Sequence, residues 1–224
     1  MVKDHLKEVF NCCLSFKYFE IEDIINKALR EGISPSDIRN VLCEALKEAL
    51  QRFRKRVYAI PQLYAVCCTF ERGLNIVKLP SKVKGRVMIG TLGSVHYVGK
   101  DIVKLALMAD GFEVIDLGEN LTPEQVVKAV EEVRPDIVAL STLVIICLPL
   151  QKRVIQLLEE KGLRDKVKVL IGGPVTSKEW AKEIKADGWA TDAFDAVKEA
   201  NKLMRELKGS SEELLKLRGK EVMM

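Results

Sequence analysis

Histidine is nearly absent from this chain, with two residues, His5 and His96, in 224. Six cysteines fall as two adjacent pairs, Cys12-Cys13 and Cys67-Cys68, and two singles, Cys43 and Cys147, and no Cys-x-x-Cys occurs. A structural zinc site therefore lacks its ligands. In a reducing compartment such cysteines read as small buried side chains. No run approaches the roughly 20 consecutive apolar residues that span a bilayer. The start, Met1-Val2-Lys3-Asp4-His5, reaches charged residues at once and shows no signal-peptide core, so a cytoplasmic protein is expected. Aromatics are only 6%, and the net charge of +4 is mild and spread along the chain. Basic residues interleaved with aromatics, the footprint of nucleic-acid binding, are missing. The single tight basic cluster, Arg52, Arg54, Lys55 and Arg56, reads as a solvated helix end or a docking patch for a protein partner.

What is present is a globular composition, 48% hydrophobic and 30% charged, in two halves of different rhythm. Residues 3 to 77 run helix after helix. Ile21, Ile24, Ile25, Ala28 and Leu29 recur at helical spacing until Gly32. Ser34 and Pro35 open a further helix as cap and first turn, with Ile38, Val41, Leu42, Ala45, Leu46, Ala49, Leu50 and Phe53 on its apolar stripe. Another starts at Pro61. About four helices with short connections predict a small antiparallel bundle over 1–78. A linker follows over 79–85. From 86 to 208, short apolar runs alternate with helical patterns: Val87-Met88-Ile89, Val114-Ile115, Ile137 to Leu140, Val167 to Ile171, and a short run at Trp189. Five strands, each followed by a helix, predict an α/β, flavodoxin-like, doubly wound parallel sheet. Residues 209–224 are polar and read as a peripheral tail.

In such sheets ligands bind beyond the carboxyl ends of the strands, at the switch in strand order. Three strand-end segments are unusual: Gly90 to Gly99, Ser141-Thr142-Leu143, and Gly172-Gly173-Pro174. Glycines there let a ligand approach the backbone. Neither phosphate-binding motif fits. Gly90, Gly93 and Gly99 miss the dinucleotide spacing, and Lys100-Asp101 after Gly99 misses the Walker pattern. His96 in a glycine-bearing, ligand-facing loop is then the candidate metal donor, with its second ring nitrogen needing an orienting partner.

These residues resemble a known family. Ser94-Val95-His96-Tyr97-Val98-Gly99 is similar to the Asp-x-His-x-x-Gly signature of cobalamin-binding domains, and Ser141-Thr142-Leu143 and Gly172-Gly173 match its downstream signatures in order and spacing. From about residue 20 to 207 the chain resembles the corrinoid proteins of methylamine and methanol methyltransferase systems and the cobalamin-binding region of methionine synthase. The resemblance implies a cobalamin or related corrinoid bound with its own base displaced and His96 as the lower axial ligand of cobalt. Gly90, Thr91, Ser94, Val95, Tyr97, Val98, Gly99, Ser141, Leu143, Gly172 and Gly173 would line the cofactor site. Phe53 and Ile60 would be contacts on the upper face, beneath a helical cap that would move for each transfer at a hinge near Pro80. It also implies a carrier rather than a complete catalyst, shuttling methyl groups between a substrate methyltransferase and an acceptor methyltransferase, with a reductive activase as a further partner and no nucleic acid or membrane.

The chain departs from the family at several positions. The aspartate before the histidine is Ser94 and the residue after it is Tyr97. The threonine-rich run after the Ser-x-Leu signature is Val144-Ile145-Ile146-Cys147, and small cap positions read Ala45-Leu46 and Ala49-Leu50. Ser94 can still hydrogen-bond an imidazole but brings no charge. Two alternatives follow from these departures: a cobalamin store, sensor or delivery module without methyl transfer, and a scaffold that has lost the corrinoid. The methyl donor, the acceptor, the particular corrinoid and the oligomeric state are not encoded in recognisable motifs.

Overall fold

A computed structural model describes residues 2–77 and 83–221, with side chains to residue 209. The linker residues 79–82, including the expected hinge at Pro80, and residues 222–224 of the tail lie outside the described residues. The chain divides into two compact units, Met1–Val83 with Asp101–Phe112, and Lys84–Lys100 with Glu113–Met224.

The first unit is helical: α1 (Val2–Leu14), α2 (Ile21–Arg30), α3 (Pro35–Arg54), α4 (Ile60–Val77) and most of α5 (Val98–Ala109). Local chemistry sets the helix ends. Gly32, at φ +85°, closes α2 with a Schellman turn in which the Ile33 N–H reaches the Ala28 carbonyl at 3.1 Å and the Gly32 N–H reaches Leu29. The Ser34 hydroxyl accepts the Asp37 N–H at 3.1 Å, and Pro35 occupies the first helical position. Most of each apolar stripe is buried, including Ile21, Ile25, Ile38, Leu42, Leu46, Leu63, Val66 and Phe70, while Ile24, Leu29, Val41 and Phe53 at the stripe margins are only half-buried. Gly73 lies where an added Cβ would come within 3.0 Å of Ile25 and Leu42, so its lack of a side chain lets α4 pack closely on both neighbouring helices.

The second unit is a five-stranded parallel sheet: β1 (Arg86–Thr91), β2 (Glu113–Asp116), β3 (Ile137–Ser141), β4 (Lys168–Gly172) and β5 (Gly188–Ala190). The strand order is β2-β1-β3-β4-β5, the flavodoxin-like order, with its switch point between β1 and β3. Helices α6 (Pro123–Val133), α7 (Leu148–Glu160), α8 (Lys178–Glu183) and α9 (Ala193–Glu221) follow β2 to β5. Thr122 and Gln125 form a capping box at the start of α6. Met88, Val138, Leu140, Val169 and Ile171 on the sheet pack with Val126, Val127, Val154, Ile155 and Leu158 on α6 and α7. Central strands enclosed on both faces explain the nearly continuous apolar runs. Helix α9 continues to Glu221, through the segment read from its polarity as a tail. Polar residues such as Glu, Lys and Arg are strong helix formers, so polarity alone does not end a helix.

Candidate corrinoid site

The strand register aligns one edge of the sheet. Thr91 of β1 stands beside Ser141 of β3, Ser141 beside Gly172 of β4, and Gly172 beside Ala190 of β5. The sequence-predicted residues Gly90, Thr91, Ser141 and Gly172 therefore meet at the carboxyl edge, and the loops carrying Ser94 to Gly99, Leu143 and Gly173 leave from it. Backbone bonds continue the ladder past the strands, from Leu92 N–H to Ser141 O at 3.0 Å and from Thr142 N–H to Gly172 O at 3.1 Å.

His96 is exposed in the loop between β1 and α5. Its Nδ1 lies 2.6 Å from the Ser94 hydroxyl, and the His96 N–H points to the same oxygen at 3.4 Å. Ser94 is buried, so its hydroxyl is a fixed anchor. When Nδ1 carries the ring proton and donates to Ser94, the lone pair resides on Nε2, the arrangement a metal-ligating imidazole needs. Among the described residues, no three His, Cys, Asp or Glu side chains stand together to hold a metal ion. A single imidazole suits a metal whose other coordination positions are filled by its own macrocycle.

Close approach is built into two further positions. Gly173, at φ +114°, would place an added Cβ 2.1 Å from the Thr142 carbonyl oxygen, so only glycine lets the two loops touch. Its turn is pinned by Thr176, whose hydroxyl donates to Gly173 O at 2.7 Å and accepts from Trp189 Nε1 at 3.0 Å. Gly99 is the opposite case, since an added Cβ there meets no described atom within 4 Å. Beside these lies a buried Thr142 hydroxyl with no hydrogen-bond partner among the described residues. Exposed apolar side chains cluster on the segments after the strand ends: Val95 and Tyr97 after β1, Val144, Ile145 and Ile146 after β3, and Phe194 after β5. An open apolar rim, a glycine with free space and an available imidazole fit a broad, flat, metal-bearing ligand.

The remaining predicted residues, Phe53 and Ile60, belong to the helical unit. Phe53 is half-buried on the last turn of α3, and Ile60 is exposed at the start of α4. Leu46 and Leu50 are both buried. Sequence reasoning had Thr142 only as the middle of a strand-end motif, and it passed over Lys100, Asp116 and Glu119, an ion cluster beside the His96 loop in which the lysine is buried and the two carboxylates are partly exposed.

A B12 binding domain model matches residues 85–198, just over half of the chain, and a second B12 binding domain model matches residues 6–78. The chain belongs to the B12-binding family. The dimethylamine corrinoid protein of Methanosarcina barkeri is 33% identical over 207 residues, covering 89% of this chain and 97% of that protein. A corrinoid protein of Desulfitobacterium hafniense (strain Y51) is 46% identical over 122 residues, 54% of this chain, and this match spans 56% of that relative's length. Among solved structures, the methanol:cobalamin methyltransferase complex from Methanosarcina barkeri superposes with a TM-score of 0.77 at 22% identity, covering 90% of this chain and 80% of that chain. A cobalamin-binding protein from Desulfitobacterium hafniense DCB-2 superposes with a TM-score of 0.70 at 24% identity, over 88% of this chain and 98% of that chain. These superpositions establish the fold, a helical unit with a parallel α/β unit, as the alternation of strands and helices predicts. Among the described residues, no helix is long and apolar enough to cross a membrane.

Proposed function

We propose that this chain carries methyl groups on a bound corrinoid, receiving them from a substrate methyltransferase and passing them to an acceptor methyltransferase. The observation that carries this reading is His96, exposed at the switch point of a B12-binding sheet with Nδ1 held by Ser94 and Nε2 open. When bound, the corrinoid supplies a cobalt centre able to take and release a methyl group. His96 Nε2 would be the donor to its cobalt, with the Ser94 hydroxyl fixing the ring by accepting a hydrogen bond from Nδ1–H. Ser141, Leu143, Gly172 and Gly173 would hold the cofactor's tail. Val95, Tyr97, Val98 and Gly99 would lie toward the ring, whereas Gly90 and Thr91 are buried and would act by supporting the loop that carries His96. For Phe53 and Ile60 as upper-face contacts the support is the family resemblance alone. A reductive activase is the third expected partner, and the cytoplasm the expected setting.

The test is direct. The purified chain is mixed with hydroxocobalamin, desalted, reduced, and offered a methyl donor together with a methyltransferase of the same gene neighbourhood. Retained absorbance followed by methylation is the expected result. Absence of retained cofactor would leave only a scaffold, and retained cofactor that no partner methylates would make the chain a store.

A further inference from the structure

Lysine is among the residues least often enclosed in a protein, because its ammonium loses hydration that only well-placed partners replace. Lys100 is enclosed, its side chain only 2% exposed, in the first turn of α5. Its Nζ lies 2.6 Å from each carboxylate oxygen of Asp116 and 3.1 Å from Glu119 Oε1. The two carboxylates remain 28% and 34% exposed, so the cation is desolvated while its partners keep part of their water. Stability alone does not call for such a cluster, since packed apolar residues commonly serve as well. Its position suggests another purpose.

Asp116 is the last residue of β2, and its Oδ1 also accepts the Gly118 N–H at 2.9 Å, tightening the turn that follows. The backbone of that turn grips the other side of the His96 loop. Gly118 O accepts the Thr91 N–H at 3.1 Å, and the Leu121 N–H donates to Thr91 O at 3.0 Å. Leu121 O accepts the Gly93 N–H at 3.2 Å, and the Asn120 N–H donates to Ser94 O at 2.9 Å. Asn120 makes this bond from a left-handed conformation, φ +53°, which asparagine adopts more readily than other non-glycine residues. Residues before His96 are thus tied to 118–121 by backbone bonds, and the residue four after it is tied to 116 and 119 by charge. One short segment holds both flanks of the loop. Ser94, at the end of this chain of contacts, bears the hydroxyl that orients His96.

We propose that Lys100 is a positioning residue, which through Asp116 and Glu119 locks the 116–121 segment against the His96 loop and so aims the imidazole. The proposal rests on His96 being the cobalt ligand. Ser94 is neutral and can only point; the charges that fix where it points stand on residues 100, 116 and 119.

The experiment uses the full chain loaded with cob(II)alamin, with histidine labelled with 15N. An axial nitrogen splits the cobalt resonance lines in the electron paramagnetic resonance spectrum, and the label distinguishes a histidine nitrogen from the cofactor's own base. The unaltered chain is expected to show the labelled-histidine splitting. Lys100→Met is expected to retain cofactor through desalting yet lower the ratio of histidine-on to histidine-off cobalt about tenfold, the lower end of what an outer-shell partner contributes. Glu119→Gln, at a partly exposed position where folding is not at risk, should move the same ratio by a smaller factor. Wild-type splitting in both variants would overturn the proposal. Loss of the splitting in the unaltered chain would instead overturn His96 as ligand, and this proposal with it.

Discussion

Two glycines of the proposed site make opposite demands, and substituting each with alanine separates a backbone requirement from a ligand requirement. At Gly173 the demand is internal. The backbone is at φ +114°, and the new Cβ would lie 2.1 Å from the Thr142 oxygen and 2.9 Å from both its carbonyl carbon and its nitrogen, where real Cβ atoms stay beyond 3.0 Å. All three atoms are backbone, so no side chain can swing aside. The forbidden conformation alone costs about 1–3 kcal/mol, and relieving the clash requires the Gly172–Thr176 turn to part from Thr142. For a chain of this length that corresponds to a fall in melting temperature of about 2–4 °C per kcal/mol. At Gly99 there is no such demand, since no described atom comes within 4 Å of the added Cβ. In the first turn of α5 alanine is at least as good a helix former as glycine, so Gly99→Ala should melt no lower than the unaltered chain. Its penalty should appear only when hydroxocobalamin is added, as reduced absorbance retained after desalting. Gly173→Ala should lose on both measures. An unchanged melting temperature in Gly173→Ala would refute the close-approach argument, and unchanged cofactor retention in Gly99→Ala would show that no ligand comes near that backbone.

Three shorter predictions follow from other residues. His96→Ala should leave the melting temperature of the cofactor-free chain within about 1 °C, since exposed substitutions rarely exceed half a kcal/mol, while shifting the bound cofactor's visible spectrum to the base-off form; an unchanged spectrum would remove His96 as ligand. Burial pushes the Cys67 thiol up to about 12 and raises Cys13 as well, from an ordinary value near 9. The folded chain therefore keeps protons that the unfolded chain releases, so this contribution to stability is fully present below about pH 9 and is lost as pH rises toward 12. Denaturant titrations at pH 8 and pH 10.5 should show that fall, and Cys67→Ala should reduce it; an identical fall in the variant would assign it elsewhere. Thr142→Val removes a buried hydroxyl without a described partner and should raise the stability of the cofactor-free chain by about 1 kcal/mol; a lower melting temperature would mean that the hydroxyl is satisfied by bound water.

The strands and the bundle were legible because their signals are local: short apolar runs of two to five residues between helical patterns, and a Ser-Pro cap at Ser34 and Pro35 that the structure forms. The Ser94–His96 contact was legible for the same reason, being two residues long. Lys100 was not. In the sequence it stands only as the residue that spoils a phosphate-loop pattern, and its partners lie 16 and 19 positions later, among 32 acidic residues that look alike in one dimension. Only the parallel pairing of β1 with β2 brings the end of one loop to the start of the next. The same pairing brings Asn120, in a left-handed conformation, to its bond with Ser94. Residues that touch a ligand cluster in short motifs because one loop presents them, whereas the groups that hold that loop come from its neighbour in the sheet. A motif can therefore lose its charged member, as at Ser94, without exposing the fact that charge one strand away still anchors the loop.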